Sequence, residues 1–435
     1  MSATPPIKDA SRRDFLQKSS AAVVGGSLAA TLGAARTVHA AGSDILKVGL
    51  IGCGGRGSGA AVNAMRAEEN LQLVALADAF ADRLDHCKQI VQRQIGKKYA
   101  VKDETCFVGF DAYKQLLETD VDVVLLCTPP HFRPAQLRAS IEAGKHVFCE
   151  KPVAVDPTGV RSVLETVELA KQKNLSIVSG LCWRYDLGVR ETIGRIKDGA
   201  IGDIVTIQEN YLTGTLWHRG RQDSWSEMEY QMRNWLYFAW LSGDHIVEQH
   251  IHSLDKALWL MDDEPPVSCV GLGGRQVRSE EKWGHIFDHF AVCYEWANGA
   301  KTFAYTRQMK GCHNEVEDHV LGTKGAAKIL KHEISQKAMP GDEGKWKYKG
   351  PKPSMYNVEH KELFAGIRSG DILNNGKYMS YSTLLAIMGR EACYTGEKIT
   401  WEKAINSKQD LSPKAYAWTD IAVPEVAVPG KTKLA

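Results

Sequence analysis

The chain has 435 residues, of which 44% are hydrophobic and 24% charged, with a formal net charge of +2. That length exceeds one ordinary core and predicts two domains. The near-neutral balance, without a long basic run, excludes nucleic acid as the main partner. Beyond the leader, no segment approaches the roughly 18 apolar residues that a membrane span requires.

Taken in order, the chain opens with Ser11-Arg12-Arg13-Asp14-Phe15-Leu16, an uncharged stretch from Ser19 to Ala35, and the small-residue run Val38-His39-Ala40-Ala41. This is the pattern of a twin-arginine signal peptide over residues 1–41, with cleavage expected near Ala40. Its apolar part is short and rich in Ala, Gly and Ser, as in a signal rather than an anchor. The expected location is therefore periplasmic or otherwise exported, with the twin-arginine translocation machinery as a partner. Because that route carries folded proteins, anything the fold binds tightly would travel with it.

From Ile45 to about Gly180, short β-branched runs alternate with longer amphipathic segments. Strands are expected at Ile45–Ile51, Leu71–Ala77, Val121–Cys127, His146–Cys149 and Ser176–Ser179. Helices are expected at Gly55–Ala67, Arg83–Ile95, Asp111–Leu117, Pro134–Ala143 and Pro157–Lys173. This alternation predicts an α/β domain, a doubly wound parallel sheet over residues 44–182. After Tyr185 the rhythm changes. Helix is expected at Val189–Asp198 and along Asn234–Trp259, and strands at Asp203–Tyr211, Val267–Leu272, Phe287–Glu295 and Lys301–Thr306, with a hairpin turn at Asn298-Gly299. A second, α+β domain with a mostly antiparallel sheet is assigned to residues 183–400, and a C-terminal extension to 401–435. Lys331–Pro353 reads as a surface excursion, and Tyr381–Tyr394 as a late helix packing back on the first domain. The ten cysteines include no C-x-x-C pair, and several sit in apolar runs, so buried free thiols are expected.

Four motifs carry chemistry. The first is Gly52-Cys53-Gly54-Gly55-Arg56-Gly57, which follows a strand, opens a helix, and is answered by Asp78 at the end of the second strand. This is a Rossmann dinucleotide fingerprint: Gly52 permits the turn, Gly54 the approach of a pyrophosphate, and Gly57 the packing of helix on strand. Asp78 favours NAD over NADP by accepting from ribose hydroxyls and repelling a 2′-phosphate, although Arg56 and Arg83 could offset that repulsion. The second is Cys127-Thr128-Pro129-Pro130-His131, at the carboxyl end of a central strand where ligands meet such sheets. The third, Glu150-Lys151-Pro152, places a charged pair at another strand end. There Lys151 could stabilise negative charge on a substrate oxygen, or the pair could simply be solvated. The fourth runs from His245 through Glu248 to His252. If helical, it sets Glu248 and His252 on one face, a carboxylate beside a general base. With no H-E-x-x-H present, no metal is expected. The aromatic segment Trp217–Trp240 reads either as packed core or as a wall for sugar C–H faces.

With Gly52-x-Gly54-x-x-Gly57, Thr128-Pro129-Pro130-His131, Glu150-Lys151-Pro152 and His252-x-x-Asp255 in place, the chain resembles the Gfo/Idh/MocA oxidoreductases from about Ile45 to Cys393. The resemblance implies a Rossmann domain and a C-terminal α+β domain whose large open sheet forms a homo-oligomer interface, dimer or tetramer. It also implies hydride transfer between NAD or NADP and the carbinol of a sugar, polyol or related carbohydrate. Carried over by position, Lys151 matches the motif lysine and His252 the acid/base histidine, while Glu248 stands where the family usually has Asp. Arg184 and Tyr185 fall at an Arg-aromatic pair near substrate, and His245 lies close by. The cofactor residues implied are Gly52, Cys53, Gly54, Gly55, Arg56, Gly57, Asp78, Thr128, Pro129, His131, Glu150 and Lys151. Combined with an export signal, this suggests NAD held tightly and regenerated in place. The alternative is a redox-neutral cycle of transient oxidation, elimination and re-reduction on a glycoside. A scaffold keeping the dinucleotide only structurally could dispense with Lys151 and His252, and both are present.

Overall fold

A computed structural model describes residues 44–336 and 344–434; the expected signal peptide lies outside them. The first sheet is built from β1 (Leu46–Ile51), β2 (Leu71–Asp78), β3 (Cys106–Val108), β4 (Val123–Leu126), β5 (His146–Cys149) and β6 (Ile177–Ser179). Its strands are all parallel in the order β3-β2-β1-β4-β5-β6. The order reverses beside β1, which opens a crevice at the carboxyl ends of β1 and β4. Helices α1 (Gly55–Ala67), α2 (Ala81–Ile95), α3 (Ala112–Leu117), α4 (Arg133–Glu142) and α5 (Pro157–Gln172) connect the strands. Covered on both faces, β4 is buried at every position.

After α6 (Leu187–Lys197) and the long strand β7 (Ile204–Thr213) come four short helices: α7 (Glu227–Arg233), α8 (Ala239–Ser242), α9 (His245–Glu248) and α10 (Ile251–Leu260). The continuous helix expected over Asn234–Trp259 is thus broken. Gly243 and Asp244 both take positive φ, at 79° and 71°, a region closed to most residues, and a further break separates Glu248 from Ile251. The second sheet adds β8 (Ser268–Gly274), β9 (His289–Glu295), β10 (Lys301–Gln308), β11 (Glu315–Gly322), β12 (Ala326–Lys328), β13 (Glu333–Ser335) and β14 (Lys345–Lys347). Helices α11 (Met355–Ser369) and α12 (Gly376–Thr395), the edge strand β15 (Ile399–Thr400) and α13 (Trp401–Asn406) complete the elements. This sheet has nine strands in the order β14-β13-β12-β11-β7-β10-β9-β8-β15. It is antiparallel except for the β7–β10 pair. The Asn298-Gly299 turn joins β9 to β10, with Gly299 at φ 84°. Among the described residues no helix is long and apolar enough to cross a membrane.

The two sheets share a core because α12 lies between them. Thr383 accepts from the Val153 N–H at 3.2 Å on one side, while Tyr294 of β9 donates to the Leu385 carbonyl at 3.0 Å on the other. Arg390 is 1% exposed and donates to the carbonyls of Val155 and Gly243, at 2.7 and 3.2 Å. It also pairs with Glu391. All ten cysteines are free and six of them are buried. The late helix therefore packs back on the first domain as its apolar spacing suggests.

Removing Arg390 leaves two carbonyls and a buried Glu391 without their cation. Arg390→Ala is expected to lower stability by about 3–5 kcal/mol, measured by chemical denaturation. A loss below ~1 kcal/mol would show that α12 does not depend on it.

Candidate functional site

One cavity of ≈ 680 Å³ opens at the switch point of the parallel sheet and reaches into the second domain. Its floor is the glycine turn between β1 and α1. Gly52 takes φ 96° and lies so near the Cys127–Thr128 peptide that a Cβ would come within 2.6 Å of it. A Cβ on Gly57 would lie 1.8 Å from the Gly52 carbonyl oxygen, so only glycine lets α1 start there. Gly54 and Gly55 face open space, with nothing within 4 Å of a built Cβ. The protein does not need glycine at those two positions for its own packing. A pyrophosphate lying against the N-terminus of α1 would need that space. The cavity therefore fits a dinucleotide.

Asp78 ends β2 on the cavity wall. Its carboxylate accepts from the backbone N–H of Cys53 at 2.6 Å and of Phe80 at 2.9 Å. Burial pushes its carboxyl above the usual range against those two N–H donors. Each oxygen keeps a lone pair for a hydroxyl. Thr128 and Pro129 line the wall after β4. Arg133 donates to the Thr128 carbonyl at 2.5 Å and also to that of Pro152, so one buried guanidinium ties two wall segments together.

At the end of β5, Glu150 and Lys151 point different ways. Glu150 is buried and pairs with Arg56 of α1, whose guanidinium also bonds Glu359 of α11 at 3.2 Å. Burial pushes the Glu150 carboxyl up, but Arg56, Lys151 and Arg133 outweigh it and hold it below its ordinary value. Burial and the nearby Glu150 push Glu359 well above its own. Lys151 reaches into the second domain, where its ammonium donates to the Glu248 carbonyl at 2.6 Å and the Glu248 carboxylate at 3.1 Å.

His252, in the first turn of α10, also lines the cavity. Burial, then Lys151, Lys256 and Arg56, hold its imidazole well below its usual value, so the ring is neutral and able to take a proton. Its Nδ1 is buried without a hydrogen-bond partner. Behind it, Lys256 donates to the His252 carbonyl at 2.6 Å and pairs with Asp318 at 3.0 Å.

Several expectations are corrected by this geometry. Glu248 makes no hydrogen bond to His252: its carboxylate is engaged by Lys151, and the His252 Nδ1 has no partner. Cys53 and His131 stand behind the wall, not on it. Cys53 packs in the core with its N–H on Asp78. His131 is buried beside Trp240 and bonds the Tyr416 hydroxyl at 2.7 Å, and burial lowers it to about 4. Arg184 is held in a buried ion pair with Asp255 and Asp263 at 2.9 and 2.6 Å, stacked 3.8 Å from the Tyr378 ring. Tyr185 is buried and donates to Asn375 at 2.7 Å, and His245 is buried on Asp244 at 3.1 Å. These three are core groups, because each finds its polar partner inside the fold. Arg56, turned toward two carboxylates, is not free to serve a phosphate beside Asp78. The aromatic segment divides: Trp217 and Trp235 line the cavity, while Tyr237, Phe238 and Trp240 are buried in the core.

The structure also adds groups that no motif marks. Tyr356 at the start of α11 faces the cavity and covers the Arg56 guanidinium at 4.9 Å. Arg219, from the loop after β7, stands on the wall with Arg83. Tyr356 follows no motif, and Arg219 lies in a loop without periodicity.

Comparison with known proteins agrees with the fold. Residues 46–179 match a family model described as an oxidoreductase family, NAD-binding Rossmann fold. Residues 193–384 match its companion, the C-terminal alpha/beta domain of the same oxidoreductase family. An inositol 2-dehydrogenase of Pseudomonas savastanoi pv. phaseolicola is 24% identical across 78% of this chain and 92% of its own length. A 2,7-anhydro-N-acetylneuraminate hydratase of Escherichia coli is 26% identical across 48% of this chain and 51% of its own. Among solved structures, a levoglucosan dehydrogenase in complex with NADH and levoglucosan superposes with a TM-score of 0.64 at 18% identity, covering 82% of this chain and 99% of that one. A scyllo-inositol dehydrogenase from Lactobacillus casei gives 0.62 at 18%, covering 82% and 100%. At those identities the structures speak for the fold. With both halves matched to one family, the chain belongs to the Gfo/Idh/MocA family of NAD(P)-dependent oxidoreductases.

Proposed function

We propose that this protein transfers hydride between NAD and a carbinol carbon of a sugar, polyol or glycoside. The observation that carries the reading is convergence: Lys151 from the parallel sheet and His252 from the second domain line the same cavity as the glycine turn. The N–H groups of that turn and the start of α1 would hold the pyrophosphate, Asp78 the ribose hydroxyls, and Thr128 and Pro129 the wall beyond. When bound, the nicotinamide supplies the hydride acceptor or donor. Neutral His252 takes the substrate hydroxyl proton, and Lys151 stabilises the negative charge left on that oxygen. Glu248 aims Lys151 through two acceptors. Asp78, which would oppose a 2′-phosphate, supports NAD. Of the two arginines that could offset it, Arg56 is committed elsewhere and Arg83 stands on the same wall, where it would accept NADP.

The twin-arginine pattern of residues 1–41 supports export of the folded protein to the periplasm with NAD tightly held. A redox-neutral cycle, in which the cofactor returns unchanged, is the second reading. The likeness to a hydratase favours it, as does an export route that leaves no free nicotinamide pool. Incubating purified protein with a panel of sugars, polyols and glycosides separates the two. Reduced cofactor formed in step with an oxidised sugar supports net oxidation, whereas cleaved or rearranged glycoside without net reduction supports the cycle. Lys151→Ala is expected to lower turnover by about 10²–10⁴-fold with cofactor still bound. Full turnover in that variant would sink the role given to Lys151.

With its imidazole held down chiefly by burial, His252 stays neutral at and below the ordinary histidine value of 6.5. The acid limb of the kcat/KM profile is therefore expected below 6.5. A limb at or above that value would remove His252 as the base.

A homo-oligomer, dimer or tetramer, is supported by the outward face of the nine-stranded sheet. Val270, Leu272 and Tyr305 are 49%, 77% and 38% exposed, and the register joins Leu272 to Ala291 and Tyr305, and Val270 to Cys293 and Phe303. An apolar patch of this kind marks an interface. Light scattering on the sized protein is expected to give a dimer or tetramer that Leu272→Glu dissociates; a monomeric wild type would overturn this.

A further inference from the structure

The C-terminal segment crosses the Asp78 end of the cavity from outside. Leu411 donates its N–H to Asp156 at 2.9 Å. Tyr416 bonds His131 at 2.7 Å and sets its ring 5.9 Å from Phe110. The Trp418 ring lies 4.5 Å from Phe110 and 5.1 Å from Phe80. The chain then ties down on α7, where Met228 donates to the Thr419 carbonyl at 3.2 Å and Glu227 to Asp420 at 3.1 Å.

Phe80 and Phe110 are themselves cavity wall, in the loops that follow β2 and β3 beside Asp78. Phe80 also meets the Arg233 guanidinium at 4.2 Å, which forks onto Asp82 with two 3.1 Å bonds. Phe80 is therefore held by both α7 and Trp418, while Phe110 is covered by Tyr416 and Trp418. Tyr416 and Trp418 remain 44% and 41% exposed, so they lie over the wall and are not part of the core. The segment lies beyond the stretch that matches the family model, which ends at residue 384.

We propose that residues 411–421 form a strap that slows release of the bound dinucleotide, with Trp418 and Tyr416 as its positioning residues. A ligand seated against Asp78 leaves only when the Phe80 and Phe110 loops part, and they part only when the aromatic contacts of the strap break. The strap acts on the rate of release more than on the fit of the bound state. This rests on the reading of the cavity as an NAD site and adds how the cofactor stays there.

The test loads the full chain with NADH, mixes it with excess NAD, and follows loss of the bound-cofactor fluorescence by stopped flow. Trp418→Ala is expected to release NADH about tenfold faster, the factor that loss of aromatic-pair contacts would give, with a thermal midpoint close to wild type. Tyr416→Phe, which keeps the ring and loses the tie to His131, is expected to fall between. Release from Trp418→Ala at the wild-type rate overturns the strap. If that variant does not fold, Tyr416→Phe decides, and an unchanged rate there overturns it equally. A wild-type chain that binds no NADH at all refutes the cofactor reading itself, and the strap falls with it.

Discussion

Glu150, Lys151 and Pro152 each reach a different part of the molecule, and the cavity exists because all three contacts form together. Glu150 faces Arg56 and, through it, Glu359 of α11. Lys151 crosses to the end of α9 and donates to the Glu248 carbonyl and to one oxygen of its carboxylate. The Pro152 carbonyl accepts from Arg133, which also holds the Thr128 turn. Four segments distant in sequence are thereby fixed around one strand end. Buried ion pairs of this kind add little net stability, since desolvation offsets most of their attraction. Their contribution is geometric: they hold the cavity's polar groups in a single arrangement before any ligand arrives.

The same contacts set the electrostatics. Three cations, Lys151, Lys256 and Arg56, lie near His252, and each disfavours a second positive charge on its ring. Each cation has its own carboxylate, Glu248, Asp318 and Glu150 respectively, and none of these acids hydrogen-bonds the imidazole. A base oriented directly by a carboxylate would titrate higher. Here the carboxylate goes to the lysine, and the histidine is left neutral.

The first domain was largely legible. The glycine turn sets the start of α1, and continuous apolar runs mark β4 and β5, because strands buried on both faces carry a strong local signal. The three-residue strand β3 has no such signal, and neither β11 nor the short strands beyond it, two of them within the expected surface excursion Lys331–Pro353, were anticipated. The chemistry was legible in residue type more than in geometry. Lys151 and His252 line the cavity, but the carboxylate expected beside His252 is taken by Lys151 instead. Arg184, Tyr185 and His245 have the composition of a site, and their partners Asp255, Asn375 and Asp244 show them to be interior groups. Tyr356 and Glu359 could not be anticipated, since what brings them to Arg56 is a fold-back of some three hundred residues.

The parallel sheet is also not complete within its own stretch of chain. Its last strand, β6, takes a further partner from residues just before α12: the Ile177 N–H donates to the Leu373 carbonyl at 2.8 Å, and Asn375 returns the bond to Ile177 at 2.9 Å. Ser179 is capped by the Asn375 side chain at 3.0 Å. On the ribosome, the edge of the nucleotide half must therefore wait until almost the whole polypeptide has been made. A nucleotide half cut out ahead of Leu373 would leave the β6 edge without this partner.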